Sequence, residues 1–138
     1  VRTSPTTFID AAHNPHGAKA LGAALDRDFD FARLIGVLSI FADKDVTGIL
    51  TALEPYLTEV VVTQNSSPRA LDAYDLAETA RDIFGEERVH VADNLPGAYA
   101  QAVELAEDAE VQSGSGIIIT GSVVTAGDAR AMFGKEPA

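Results

Sequence analysis

The chain of 138 residues contains no cysteine, no tryptophan and one methionine. Without cysteine there is no disulfide framework, no thiolate metal site and no thiol nucleophile. Basic residues are scarce: 10 Lys and Arg stand against 21 Asp and Glu, for a formal net charge of −11. That balance repels nucleic acid and anionic membrane surfaces, and neither is expected as a partner. No apolar run approaches the ~20 residues needed to span a bilayer. The start, Val1-Arg2-Thr3-Ser4-Pro5, lacks the pattern of a signal peptide. The first residue is Val1 and the only methionine is Met132. The chain therefore reads as a processed product or a piece of something longer, with part of an active site expected elsewhere.

What is present suffices for one folded domain over residues 1–138. Hydrophobic residues make up 46% and charged residues 22%, which excludes a disordered tail or a low-complexity chain. The acid is unevenly spread. Residues 1–69 hold 6 basic and 8 acidic side chains, residues 70–138 hold 4 and 13. The nearly neutral first half is the better place for an anionic ligand, and the acidic second half reads as solvated surface.

Apolar patterning alternates between strand and helix. Thr6–Asp10 predicts a short strand, followed by a helix from Pro15 to about Leu25 with Asn14 as its cap. The nearly continuous apolar run Arg33–Ile40 predicts a strand covered on both faces. A helix carrying Val46, Ile49, Leu50 and Leu53 follows, then a third strand over Glu59–Thr63. Asp72 and Asp75 have capping-box spacing at the start of a helix that Gly85 ends. A fourth strand over Arg88–Ala92, a long helix from about Leu95 to Ala109, and a flexible linker Ser113-Gly114-Ser115-Gly116 come next. A fifth strand over Gly116–Thr120 and a helix over about Val123–Phe133 complete the pattern. This order predicts an α/β fold, a mostly parallel sheet of five to six strands with helices on both faces. Functional residues in such sheets gather beyond the carboxyl ends of the strands. Four loops are nominated: Asp10–His16, Ser39–Asp45, Thr63–Arg69 and Gly121–Val124.

The first loop carries the densest chemistry. Asp10-Ala11-Ala12-His13-Asn14-Pro15-His16-Gly17 sets a carboxylate, two imidazoles and an amide at a strand–helix junction. Asp10 suits ribose hydroxyls, and His13 suits a phosphate or carboxylate near a helix N-terminus. The plainer reading is a capping network in which the histidines are bystanders. A third reading is a self-contained binding module or metal-dependent hydrolase centred on Asp10, His13 and His16, although Pro15 disturbs the spacing and no further Cys or His joins them.

The same octapeptide resembles the conserved Asp-Gly/Ala-Ala-His-Asn-Pro motif of folylpolyglutamate synthases and bifunctional dihydrofolate synthases, in the Mur-ligase superfamily. Three further segments are similar to family motifs, in family order: Phe41-Ala42-Asp43-Lys44-Asp45, Pro68-Arg69-Ala70 and Thr120-Gly121-Ser122-Val123. Together they cover about residues 6–124. The chain departs from the family in two ways. It has no Gly-x-x-x-x-Gly-Lys-Ser/Thr phosphate loop, and Val123-Val124-Thr125 stands where an aromatic commonly follows the serine.

The resemblance implies the Rossmann-like C-terminal domain of a cytoplasmic ATP-dependent ligase. ATP and Mg²⁺ belong to an N-terminal ATPase domain of the same polypeptide, and this chain alone is expected to bind neither tightly and to be inactive. In the family, ATP converts the carboxylate of a folate or dihydropteroate into an acyl phosphate that the amine of L-glutamate attacks. The resemblance assigns Asp10 and His13 to the nucleotide, His13 to catalysis and the incoming glutamate, and Ser122 to glutamate. Lys44 suits a glutamate carboxylate as a mobile charge, or alternatively pairs with Asp43 or Asp45. Arg69 either meets substrate or the other domain, or anchors its own loop through backbone carbonyls.

Overall fold

The computed structural model describes residues 6–28, 33–108 and 114–134. In chain order the elements are β1 (Thr6–Ile9), α1 (Pro15–Asp28), β2 (Arg33–Leu38), α2 (Val46–Leu53), β3 (Glu59–Val62) and α3 (Ala73–Phe84), then β4 (Val89–Val91), α4 (Leu95–Asp108), β5 (Ser115–Thr120) and α5 (Val123–Gly134). A 3₁₀ turn over Glu86–Arg88 precedes β4. The sheet is parallel throughout, in the order β1-β5-β2-β3-β4.

The unbroken aliphatic runs occupy the middle of the sheet because both of their faces are covered. Leu34, Leu38, Val60, Val62 and Ile118 meet Ala18 and Leu25 of α1, Ile49, Leu50 and Leu53 of α2, and Leu76, Ala80 and Phe84 of α3. Ile35, Val37, Val61, Ile117 and Ile119 meet Leu95, Ala98, Ala102 and Ala106 of α4 and Ala129 of α5. Alternate residues of each strand thus feed opposite cores, as the two-residue period of a strand requires. The alanine stripe of α4, spaced four apart, brings that helix close to the sheet.

Polar groups close the element ends. The Asp72 carboxylate caps α3 by accepting from the N–H groups of Tyr74 and Asp75, and Gly85 ends the helix at φ +89°. Asp75 makes no reciprocal bond among the described residues, so the capping box is one-sided. Arg88 sits where the sequence suggested strand. Its guanidinium donates to the carbonyls of Leu57, Thr58 and Glu54 and to the Glu54 carboxylate, binding the α2–β3 connection to the start of β4. At the amino edge Glu59 bridges Arg33 and His90, with His90 Nε2 at 2.7 Å.

One expectation needs correction. Ser115, expected in the linker, is the first residue of β5, and Gly116, which ends the expected linker and begins the expected strand, belongs to the strand. Arg33 is in register with Ser115, and Gly116 with both Leu34 and Thr6. Pairing on two sides fixes a backbone that its composition alone marks as flexible. Ser113 lies outside the described residues.

Gly121 follows β5 at φ +126°, and a Cβ there would lie 2.2 Å from the Ser39 carbonyl oxygen. Gly127, on the exposed side of α5, would place a Cβ in open space. Gly121→Ala is expected to cost about 2–4 kcal/mol through backbone strain and overlap. Gly127→Ala is expected to stabilise by up to about 1 kcal/mol through helix propensity. Urea unfolding of the two variants should therefore shift in opposite directions, and a neutral Gly121→Ala would contradict the close approach.

Candidate functional site

The helices after β1 and β2 cover one face of the sheet and the helix after β5 covers the other, although β5 lies between those two strands. Their carboxyl ends therefore form a topological switch point, the kind of place where open parallel sheets bind ligands. The ladder continues past the strands into it. Asp10 N–H donates to the Ile119 carbonyl at 3.0 Å, and Ser39 N–H to the Thr120 carbonyl at 3.3 Å. All four nominated loops lie along this edge.

Asp10 is half-buried, and its Oδ2 accepts from the Ala12 N–H at 2.9 Å, which leaves Oδ1 without a partner among the described residues. His13 is exposed, with Nδ1 3.1 Å from the Ala11 carbonyl oxygen. A carbonyl only accepts, so Nδ1 carries the proton in this contact and Nε2 is the ring nitrogen left open. Asn14 caps α1 through the Gly17 N–H at 2.7 Å. His16 is exposed in the first turn, with no hydrogen bond among the described residues. The metal alternative on Asp10, His13 and His16 gains no geometric support. The first two side chains are turned back onto their own loop, and no group of three His, Cys, Asp or Glu among the described residues is placed to hold an ion.

Lys44 is exposed, and its ammonium makes no ion pair among the described residues. Asp45 instead caps α2 through the Gly48 N–H at 3.0 Å, and Asp43 pairs with Arg69 at 3.1 Å. Arg69 also lies over the Phe41 ring, 4.3 Å from its centroid. Neither carbonyl anchoring by Arg69 nor an aspartate partner for Lys44 is therefore found. The β2–α2 and β3–α3 loops are laced together by Ala42 N–H to the Arg69 carbonyl and Leu71 N–H to the Ile40 carbonyl, both 2.9 Å, which is why Asp43 and Arg69 meet.

Ser122 is 1% exposed. Its Oγ accepts from the Thr125 N–H at 2.9 Å and from Asn65 Nδ2 at 3.2 Å, and lies 2.8 Å from Thr125 Oγ1. Thr125 Oγ1 donates to the Ser39 carbonyl at 2.8 Å, so the Ser122 proton goes to Thr125. One proton and two lone pairs are then all engaged. Asn65 is the hub. It gives Nδ2 to both hydroxyls, its N–H to Ser39 Oγ at 2.8 Å, and takes the Ser67 N–H at Oδ1. In the sequence Asn65 looked like an ordinary polar loop residue. The spacing of Ser122 and Thr125 was a readable capping signal, but the link to Asn65 spans 57 residues and had none. Beside this network the buried hydroxyls of Thr63 and Thr120 have no partner among the described residues.

Farther along the edge the Tyr74 hydroxyl donates to Asp93 Oδ1 at 3.0 Å. That bond, with the carboxylate's charge, pushes the phenol above its ordinary value of 10.0. In a spectrophotometric titration Tyr74→Phe should remove a phenol that ionises above pH 10.0. Asp93→Asn should lower that same ionisation, and an unchanged titration would contradict the assigned cause.

The sequence matches the family described as Mur ligase, glutamate ligase domain, over residues 1–123. It is 54% identical to the dihydrofolate synthase/folylpolyglutamate synthase of Mycobacterium tuberculosis, over 99% of this chain and 30% of that protein. The crystal structure of Mycobacterium tuberculosis folylpolyglutamate synthase complexed with ADP and AMPPCP superposes with a TM-score of 0.93 at 55% identity, over 99% of this chain and 31% of that one. A bifunctional folylpolyglutamate synthase/dihydrofolate synthase with Mn, AMPPNP and L-glutamate bound gives 0.78 at 25% identity, over 97% and 30%. The chain thus spans about 30% of the length of these relatives. With its parallel five-stranded sheet and its motif loops on one edge, the chain belongs to the Mur ligase, glutamate ligase domain family.

Proposed function

We propose that this chain is the glutamate-handling domain of an ATP-dependent ligase that joins L-glutamate to a folate or dihydropteroate in the cytoplasm. The reading rests on one observation. The loops bearing Asp10 and His13, Lys44 and Ser122 follow β1, β2 and β5, which are neighbours in the sheet. Loops far apart in sequence therefore begin side by side at one sheet edge, which supports a shared site. Family membership and the ligands named for its relatives support the same assignment.

The roles follow from what each group has free. Lys44 offers an unpaired ammonium to a glutamate carboxylate. His13, with Nδ1 engaged, offers Nε2 to take the proton that the glutamate amine must lose. Asp10 keeps one carboxylate oxygen for ribose hydroxyls. Ser122 has its hydroxyl saturated, so a glutamate contact there requires the bond to Thr125 to open or uses the turn's backbone. Arg69 turns toward substrate or the partner domain by leaving an exposed aspartate, an exchange of small cost. Val123, apolar and 63% exposed beside Ser122, suits contact with an ATPase domain of the same polypeptide.

The residues present fit one side of a nucleotide. They offer a carboxylate and an imidazole but no phosphate loop. ATP, with Mg²⁺, supplies activation of the acceptor carboxylate in the complete enzyme. Closure of this domain over it would exclude water from the reacting groups.

In the complete ligase, His13→Ala is expected to reduce amide formation at least ~100-fold, the usual lower range for a lost general base. Asp10→Ala should raise the KM for ATP, and both variants should unfold at wild-type urea concentrations. Wild-type turnover in both would overturn the reading. For this chain alone, calorimetry should give an ATP affinity of about 1 mM or weaker, and a micromolar affinity would contradict the division of the nucleotide site.

A further inference from the structure

A second site lies on the other face of the sheet from His13 and Lys44. Between the β3–α3 loop, the β4–α4 turn and α5 there is a cleft of ≈ 600 Å³, within the range of small-molecule sites. Its floor is apolar: Leu95, Pro96 and Met132 line it, and a neighbouring hollow extends it past Pro96 and Met132 toward Tyr99 and Phe133. Those two rings meet edge to face at 5.0 Å, a firm end wall.

The polar rim has one sign of charge. Asp93 and Asp128 line the cleft, and among the described residues no Lys, Arg or His does. Asp128 is held in place by the N–H and hydroxyl of Ser66, at 2.7 and 2.9 Å. Asp93 gives Oδ1 to Tyr74, and Oδ2 has no partner among the described residues. Gln64 and Asn94 use their side-chain oxygens on the N–H groups of Ala73 and Gly97. Their amide NH₂ groups have no partner among the described residues.

This combination selects a ligand chemistry. Two carboxylates without a counter-charge disfavour glutamate or any polyanionic tail. A carboxylate with a free oxygen beside an apolar slot accepts a flat group with two parallel N–H donors, since one carboxylate has about four lone-pair directions. We propose that the cleft is a binding site for a flat aromatic amidine or amino-substituted nitrogen heterocycle. The donor edge sits on Asp93, the ring lies against Leu95 and Met132, and the Gln64 and Asn94 amides remain for acceptors on the ring. The cleft shares Asn65 with the network around Ser122 but includes none of Asp10, His13 and Lys44, and the proposal does not rest on the ligase reading.

Benzamidine is the probe, and benzoate is its control of nearly the same shape and opposite charge. In an ¹⁵N NMR titration of this chain, benzamidine is expected to shift the amides of Asp93, Asn94 and Met132 saturably, with a Kd of about 1 mM or tighter. Benzoate is expected to bind at least tenfold more weakly. Asp93→Asn keeps an acceptor for Tyr74 but removes the charge, and should weaken benzamidine at least fivefold. Ala131→Lys, on the cleft wall, supplies an internal cation and should weaken it as well, which tests the site without altering Asp93. Unsaturable shifts, an equal response to benzoate, or unchanged binding in both variants would overturn the proposal.

Discussion

A side chain on Gly121 would place its Cβ 2.2 Å from the Ser39 carbonyl oxygen, so the β5–α5 turn and the end of β2 meet backbone to backbone. That close approach lets Thr125 reach the Ser39 carbonyl, and Asn65 reach Ser39, Ser122 and Thr125 together. Buried hydroxyls and amides are costly unless paired, so the ends of β2, β3 and β5 are locked to one another. Burial of the aliphatic strands holds the sheet. The polar knot at its carboxyl edge fixes where the functional loops begin.

The loops beyond that knot are chemically uneven. Over β1 and β2 stand His13, His16 and Lys44, each without an ion pair among the described residues. Over β3 and β4 stand Asp93 and Asp128, which line a cleft without a cation among the described residues. The same sheet edge thus carries basic side chains on one side and carboxylates without a basic neighbour in the cleft on the other, among the described residues. The contrast is finer than the charge difference between the two halves of the chain. Asp43 and Asp45, in the more neutral half, are spent on Arg69 and on the cap of α2.

The fold was largely legible because its signals are local. Continuous aliphatic runs marked the doubly covered strands. Asn14, Asp72 and Gly85 marked helix ends, and the alternation of strand and helix required parallel pairing. The start of β5 differs by one residue, because the composition of Ser115-Gly116 says loop while pairing with Arg33, Leu34 and Thr6 makes it strand. Arg88 was read as strand for the converse reason: its place is set by the carbonyls of a connection some 30 residues earlier.

By itself the sequence determined the element order, the two-sided burial of β2, and the placing of Asp10, His13, Lys44 and Ser122 after strands. Each of these follows from residue type and short-range spacing. Only the tertiary structure decided that β5 inserts between β1 and β2, that Asn65 rather than a motif residue is the hub, and that Ser122 is saturated while Lys44 has no ion pair among the described residues. Those outcomes depend on hydrogen bonds between residues as far apart as Asp10 and Ile119, and no local pattern encodes which distant donor will find which acceptor.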